Sequence, residues 1–416
     1  MTRLSVILIL LTFGCGLDEL IAGYTGAGGS GGLGGAGGQS QGGQGGACAI
    51  DNVLSVERAK FTTQSTEPEE IAALDVPAGV APDGWVLLLS ARLSSESTQA
   101  ESQEVRYLVD GVERGIGQSR SDAMGAGDGG PWQHFDLLPP DSQRVSIEFR
   151  SLRAAFLATI SDLHVVAFAV PPGADPVFAE DDMQIVVQPN TTQRIYQTVA
   201  SVDIPAGAPG DYLVMLALVG NEVPGIASIG VRAFGPDAAH WPVESMLGMA
   251  PRPYLSNPLD EWNSFMLVRS VQSDGSAIRV DLQVDGSGIE GSTVRDIRAL
   301  ALRQDAFAQA KLATALDEQI LMPPARDTMV GELDISTDPC HGVVVAQFVT
   351  LWAEGLRSVR FGSATFDHHY DSDEAKLTYA TLGVLPSGGG TLTTTVSAPT
   401  TALSVRESVI VALELP

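Results

Sequence analysis

Eight consecutive residues, Asp367-His368-His369-Tyr370-Asp371-Ser372-Asp373-Glu374, set two imidazoles among four carboxylates. Imidazole nitrogen suits zinc and carboxylate oxygen suits calcium, so Asp367, His369, Asp371 and Asp373 form a candidate site for a divalent cation. Neighbouring side chains on an extended chain point to opposite faces, so His368 and His369 cannot both reach one ion unless the backbone turns there. The run also lacks the glycine that an EF-type loop carries at its sixth position. An acidic, solvated hairpin loop is the preferred reading, and no other cofactor is expected.

A second chemistry is stacking. Trp241, Tyr254 and Trp262 fall in one long segment, Pro236 to Trp262, and could offer flat apolar faces to sugar rings. Trp85, Trp132 and Trp352 sit in or beside strand patterns and are expected in the core. Acids are plentiful enough for a hydrolytic carboxylate pair in a cleft between domains, but abundance does not place them. No Ser-His-Asp or Cys-His arrangement has an interpretable context, which leaves a catalytic role without named residues.

The cysteines divide by place. Cys48 and Cys340 could be bridged in an oxidising compartment, or remain two thiols. Cys15 closes the stretch Leu11-Thr12-Phe13-Gly14-Cys15, which follows a basic residue, Arg3, and an apolar run from Val6 to Leu11. Roughly ten apolar residues are too few to span a bilayer, which takes ~20, but they suit an export signal. The stretch resembles the lipobox of bacterial lipoproteins, with Thr12 in a slot where leucine is commoner. That resemblance implies a diacylglycerol on the Cys15 sulfur, cleavage on its amino side, and attachment to the cell envelope or outer membrane. Several acyl chains supply ~0.8 kcal/mol per buried methylene, which makes such an anchor effectively permanent.

Gly23 to Gly46 holds 14 glycines in 24 residues and no charge. Glycine loses the most backbone entropy on ordering, and nothing apolar here offsets that loss, so residues 15–47 are expected to form a flexible tether behind a signal at 1–14. Two motif strings inside it, Gly26 to Gly31 (dinucleotide-like) and Gly38 to Gly42 (hydrolase-like), lack the strand and helix that give such motifs their chemistry. The formal charge of −26, from 50 acids and 24 bases, repels nucleic acid and anionic lipid headgroups. Partners are then expected to be the membrane through the anchor, and a glycan or another surface protein.

Behind the tether, one order of features occurs three times. An aspartate sits between apolar residues at Asp75, Asp203 and Asp334, spaced by 128 and 131 residues. An apolar strand follows, from Gly84, Gly210 and His341, dense enough to be covered on both faces. Next come alternating strands (Val145, Ile147, Phe149; Val280, Leu282, Val284; Leu392, Thr394, Val396) and closing strands from Asp162, Asp296 and Ser408. Few aromatics (6%) and few charges (18%) also favour short strands and turns. The fold expected is all-β: three tandem antiparallel β-sandwiches of jelly-roll or Greek-key type at 48–174, 175–306 and 307–416, with Pro171, Pro172 and Pro176 at the first seam. Phe307 to Leu321 reads equally as helix or strand. The role implied is structural, adhesive or ligand-binding, in a protein more plausibly not an enzyme.

Overall fold

The computed structural model describes residues 52–416 apart from 96–100, 122–128, 155–156, 188, 191–195, 222–227, 235–244, 248–261, 288–292, 316–318, 323, 337–340, 354–356, 364–366, 373–375, 386–388, 399 and 401. A single short 3-10 turn, Gln304–Ala306, interrupts an otherwise all-strand set of described elements. Phe307 to Leu321 resolves into strands, because its apolar side chains are spent in a sheet edge.

Lobe 1 contains β1 (Val53–Thr63), β2 (Glu69–Asp75), β3 (Trp85–Ser95), β4 (Glu101–Val109), β5 (Val112–Ser121), β6 (Gly129–Leu138), β7 (Arg144–Ser151) and β8 (Ala158–Ala169). Its two sheets run β1-β8-β3-β6 and β2-β7-β4-β5, the strand order of a jelly roll. Lobe 2 contains β9 (Val177–Asp181), β10 (Ile185–Val186), β11 (Pro189–Asn190), β12 (Gln197–Ile204), β13 (Gly210–Asn221), β14 (Ser228–Phe234), β15 (Ser245–Leu247), β16 (Trp262–Ser273), β17 (Ile278–Ser287) and β18 (Thr293–Arg303). Lobe 3 contains β19 (Gln309–Ala315), β20 (Gln319–Leu321), β21 (Ala325–Ile335), β22 (Val343–Ala353), β23 (Arg357–Gly362), β24 (Asp367–Ser372), β25 (Lys376–Leu385), β26 (Gly390–Ala398) and β27 (Leu403–Glu414). Their sheets, β10-β18-β13-β16 with β12-β17-β14-β15, and β19-β27-β22-β25 with β21-β26-β23-β24, repeat the plan of lobe 1, and β11 adds two residues parallel to β17. In lobes 2 and 3 the first strand is broken in two, β9 with β10 and β19 with β20.

The repeated aspartates hold one register. Asp75 pairs with Arg144, Asp203 with Arg279 and Asp334 with Thr391, each across the alternating strand that follows it in sequence. Val145, Ile147 and Phe149 point into lobe 1, Val280, Leu282 and Val284 into lobe 2, and Leu392 and Val396 into lobe 3, all buried. A period of two therefore fills each sandwich from one side. In lobe 3 the buried Gln347 donates through Nε2 to the Thr393 carbonyl at 3.0 Å, a polar layer between two apolar clusters.

The central strands β3, β13 and β22 are buried on both faces. Trp85, Leu87 and Leu89 fill lobe 1, while the alternate residues Val86 and Leu88 leave it for a core shared by all three lobes. Leu213, Met215 and Ala217 do the same from β13, and Val344, Ala346 and Phe348 from β22. Where they converge, packing leaves a void of only about 10 Å³, lined by Leu88, Met215, Met266, Val268, Ala346 and Val411 among others. Among the described residues the lobes are thus joined through apolar contact.

Strand register also gives the body two poles. Val53, Trp85, Leu138 and Ala169 meet at one, where Asn52 donates through Nδ2 to the Pro416 carbonyl at 3.0 Å. At the other pole stand the ends of β5 and β6, of β15 and β16, and of β24 and β25, which flank residues 122–128, 248–261 and 373–375.

Candidate functional site

The chemistry-bearing residues that do meet are at the seams between lobes, and one backbone device brings them there. Each closing strand carries one extra residue where it pairs with its central strand. Asp162 and Leu163 oppose the single residue Ala91, Asp296 and Ile297 oppose Leu218, and Arg406 is extra beside Thr350 and Leu351. Such bulges re-aim the side chains beside them. Asp162 and Asp296 take φ of 51° and 50°, a left-handed conformation that aspartate tolerates better than most residues. The first residue after each bulge, His164, Arg298 or Glu407, is turned off the apolar stripe and into the neighbouring lobe.

At the seam of lobes 1 and 2 that residue is Arg298, fully buried. Its Nε lies 3.3 Å from Asp136 Oδ1, and its Nη2 lies 2.5 Å from Asp182 Oδ1 and 2.9 Å from the Arg114 carbonyl. Asp136, equally buried, also accepts from Arg114 Nε at 3.0 Å and from the Tyr107 hydroxyl at 3.2 Å. Arg114 reaches on to Glu180. Burial opposes the charge on both arginines, but the carboxylates outweigh it and raise their pKa values further. Burial, helped by Asp136, likewise holds the Tyr107 phenol protonated well beyond its ordinary range. His134, buried beside Tyr107 with ring centroids 5.7 Å apart, is pushed well down by burial and then by Arg298 and Arg114, and stays neutral. Nearby, Asp296 accepts from the Ile116 amide at 3.0 Å across the seam; burial raises its pKa against the pull of Arg295.

At the seam of lobes 2 and 3 the charges are reversed. Glu407 of β27 pairs with Arg269 of β16, both buried. Burial pushes the Arg269 guanidinium down to about 9, still charged at neutral pH. At the seam of lobes 3 and 1 neither sign is fixed. His164 of β8 meets His368 of β24 edge to face, with ring centroids 4.6 Å apart. Glu57 lies 3.5 Å from His164 Nδ1, and Asp162 lies 4.0 Å from His368 Nδ1.

These seams position charge and hydrogen bonds; they present no nucleophile beside a base. Asp136 spends its oxygens on two guanidinium groups, a phenol and the Leu137 amide, which makes it a counter-ion. Among the described residues no group of three metal-ligating side chains converges.

The residues singled out from sequence are placed as follows. The run expected as a loop begins as strand β24, and the His368 ring enters a seam. The strand forms because β23 supplies an edge to pair with. Asp367 is held by Arg360 through two contacts of 2.6 and 2.5 Å. His369 and Asp371 lie on β24 opposite Arg360 and Ser358, while Asp373 lies outside the described residues. Trp241 and Tyr254 also lie outside them; Trp262 opens β16 opposite Asn221, and β15 divides the segment read as one loop. Cys15, Cys48 and Cys340 are outside the described residues too. Trp85 and Trp132 are core, as expected. The seam residues His164, Arg298 and Glu407 escaped the sequence reading. Their signal was an ionisable residue at the head of each apolar closing strand.

No family model matches this sequence, and no curated protein sequence is similar to it. Among solved structures the chain is similar to that reported under "The Triple Jelly Roll Fold and Turret Assembly in an Archaeal Virus", at 9% identity and TM-score 0.21, over 87% of this chain and 90% of that one. It is similar to the structure of infectious bursal disease virus Gt strain at 11% identity and TM-score 0.22, over 88% and 80%. The N-terminal tandem CBM22 domain of Paenibacillus barcinonensis Xyn10C follows at 10% identity and TM-score 0.18, over 59% and 93%. Likeness this faint speaks neither to function nor to assembly, and the jelly-roll fold rests on strand order.

Proposed function

We propose that this chain is an exported, lipid-anchored protein of the cell envelope whose three-lobed body serves a structural, adhesive or ligand-binding role. The observation that carries this reading is the shared core, which makes one stiff body from lobes that each already hold an interior. A rigid body with its first described residue, Asn52, at one pole suits display on a tether. Some thirty residues of glycine-rich chain reach on the order of 30 Å, enough to lift the body clear of a bilayer. The pole away from Asn52 would then face outward, and partners of the expected kind, a glycan or a surface protein, would meet it there.

Fractionation tests the anchor. In cells fed a labelled fatty acid, the chain is expected in the membrane fraction with label attached, and Cys15→Ala is expected to lose both. An unlabelled, soluble native chain would overturn the reading. For the outward pole, retention on immobilised glycans should fall in Trp262→Ala if that partner is a sugar; unchanged retention removes the sugar and leaves a surface protein.

A further inference from the structure

Two of the seams are locked by opposite charges, and the remaining one is not. Arg298 with Asp136, and Glu407 with Arg269, each set a guanidinium against a carboxylate. His164 and His368 present two groups of the same kind, each an imidazole with room for one further proton. The pair also closes the body in a particular place. Lobes 1 and 2, and lobes 2 and 3, are adjacent along the chain, whereas lobes 3 and 1 are held together by contact alone.

From this geometry we infer that the His164–His368 contact is a proton-sensitive latch between the first and last lobes, tight when both rings are neutral and slackened when they are charged. His164 is 4% exposed, so its ring has little water with which to solvate a charge. Two imidazolium rings with centroids 4.6 Å apart would repel, where two neutral rings meet edge to face. The surrounding groups do not reverse this. Glu57 on β1 is 62% exposed at its side chain and screened by water. Asp162 on β8 stands at 4.0 Å from one ring, and Asp367 on β24 is occupied by Arg360 of β23. Arg92, on the outer face of β3 opposite Ser161, adds a positive charge to the same face as His164. β25, which also packs on β8, lays the apolar Ala380 and Leu382 in the shared core. Consistently, burial first and then His164 push the His368 pKa below its ordinary value. Glu57 is held below its own, chiefly by the hydrogen bond from His164.

The sign follows. A histidine whose folded pKa is depressed contributes stability that is present above the unfolded pKa and is lost as pH falls below it.

Amide hydrogen exchange on the intact chain at pH 7.5 and 5.5, corrected for intrinsic rate, reads the latch directly. Opening at β8 and β24 is expected to increase, by up to about tenfold, at pH 5.5, one unit below the ordinary histidine value. Opening at β16, beside the Arg269–Glu407 lock, is expected to stay constant. His368→Phe keeps a ring in place that cannot take a proton, and should abolish the increase; His164→Gln carries the same expectation should that variant fail to fold. Equal protection at both pH values, or an acid-induced increase surviving in the variant, would overturn the latch.

Discussion

Arg298 and His164 occupy the same place in their lobes, the first residue after the bulge of a closing strand, yet they secure their seams by different means. Arg298 brings a permanent charge into a ready-made set of acceptors, and lobe 1 supplies Asp136 and the Arg114 carbonyl for it. His164 brings an imidazole and meets a ring like itself. The bulge is the same in both lobes, while the side-chain chemistry that follows it differs. The contrast teaches that a bulge can fix where a side chain goes without fixing what it does there.

The sharpest way to break the comparison is to remove Arg298. Arg298→Ala removes one of the two guanidinium partners of the buried Asp136 and should cost about 3–5 kcal/mol in denaturant unfolding, because breaking a buried ion pair from one side is expensive. The double variant Arg298→Met, Asp136→Asn should recover much of that loss, since it removes both charges together. Next comes the shared core. Leu88→Ala should cost about 2–5 kcal/mol, as much as Leu87→Ala on the other face of β3, because both side chains are buried. If the outer face of β3 were ordinary surface, Leu88→Ala would change stability by under ~0.5 kcal/mol.

A smaller effect is expected at Gly117, where a Cβ would overlap the buried Trp132 ring. Gly117→Ala should cost roughly 1–3 kcal/mol by overpacking, read again from denaturant unfolding. Smallest is the contribution of His134 to pH dependence. Its folded pKa is depressed by burial and two arginines, so it adds stability above the unfolded value, near ~6.5, that drains away as pH falls below it. The slope is at most about 1.4 kcal/mol per pH unit, and His134→Phe should flatten the stability profile between pH 6.5 and 5.

Much of the fold was legible because its grammar is local. Alternation in Val145, Ile147 and Phe149, and unbroken apolar runs in the central strands, report one-sided and two-sided burial from a few adjacent residues. The shared core explains why runs such as Val86 to Leu89 are continuous, although nothing in them says which neighbour covers the second face. The seams were not legible, because their partners are distant. Arg298 and Asp136 are 162 positions apart, and each alone reads as a single polar residue in an apolar strand. His368 was noticed for its neighbours in sequence, yet its packing partner, His164, is in the first lobe. The strand at Asp367–Ser372 escaped for a related reason: polar edge strands carry little apolar alternation, and pairing with β23 decides their conformation.

That the lobes share a core and act as one body is tested most directly by calorimetry of the full chain at neutral pH. A single unfolding transition is predicted, with calorimetric and van't Hoff enthalpies equal. Two or three resolved transitions, each with the enthalpy of one lobe, would contradict it.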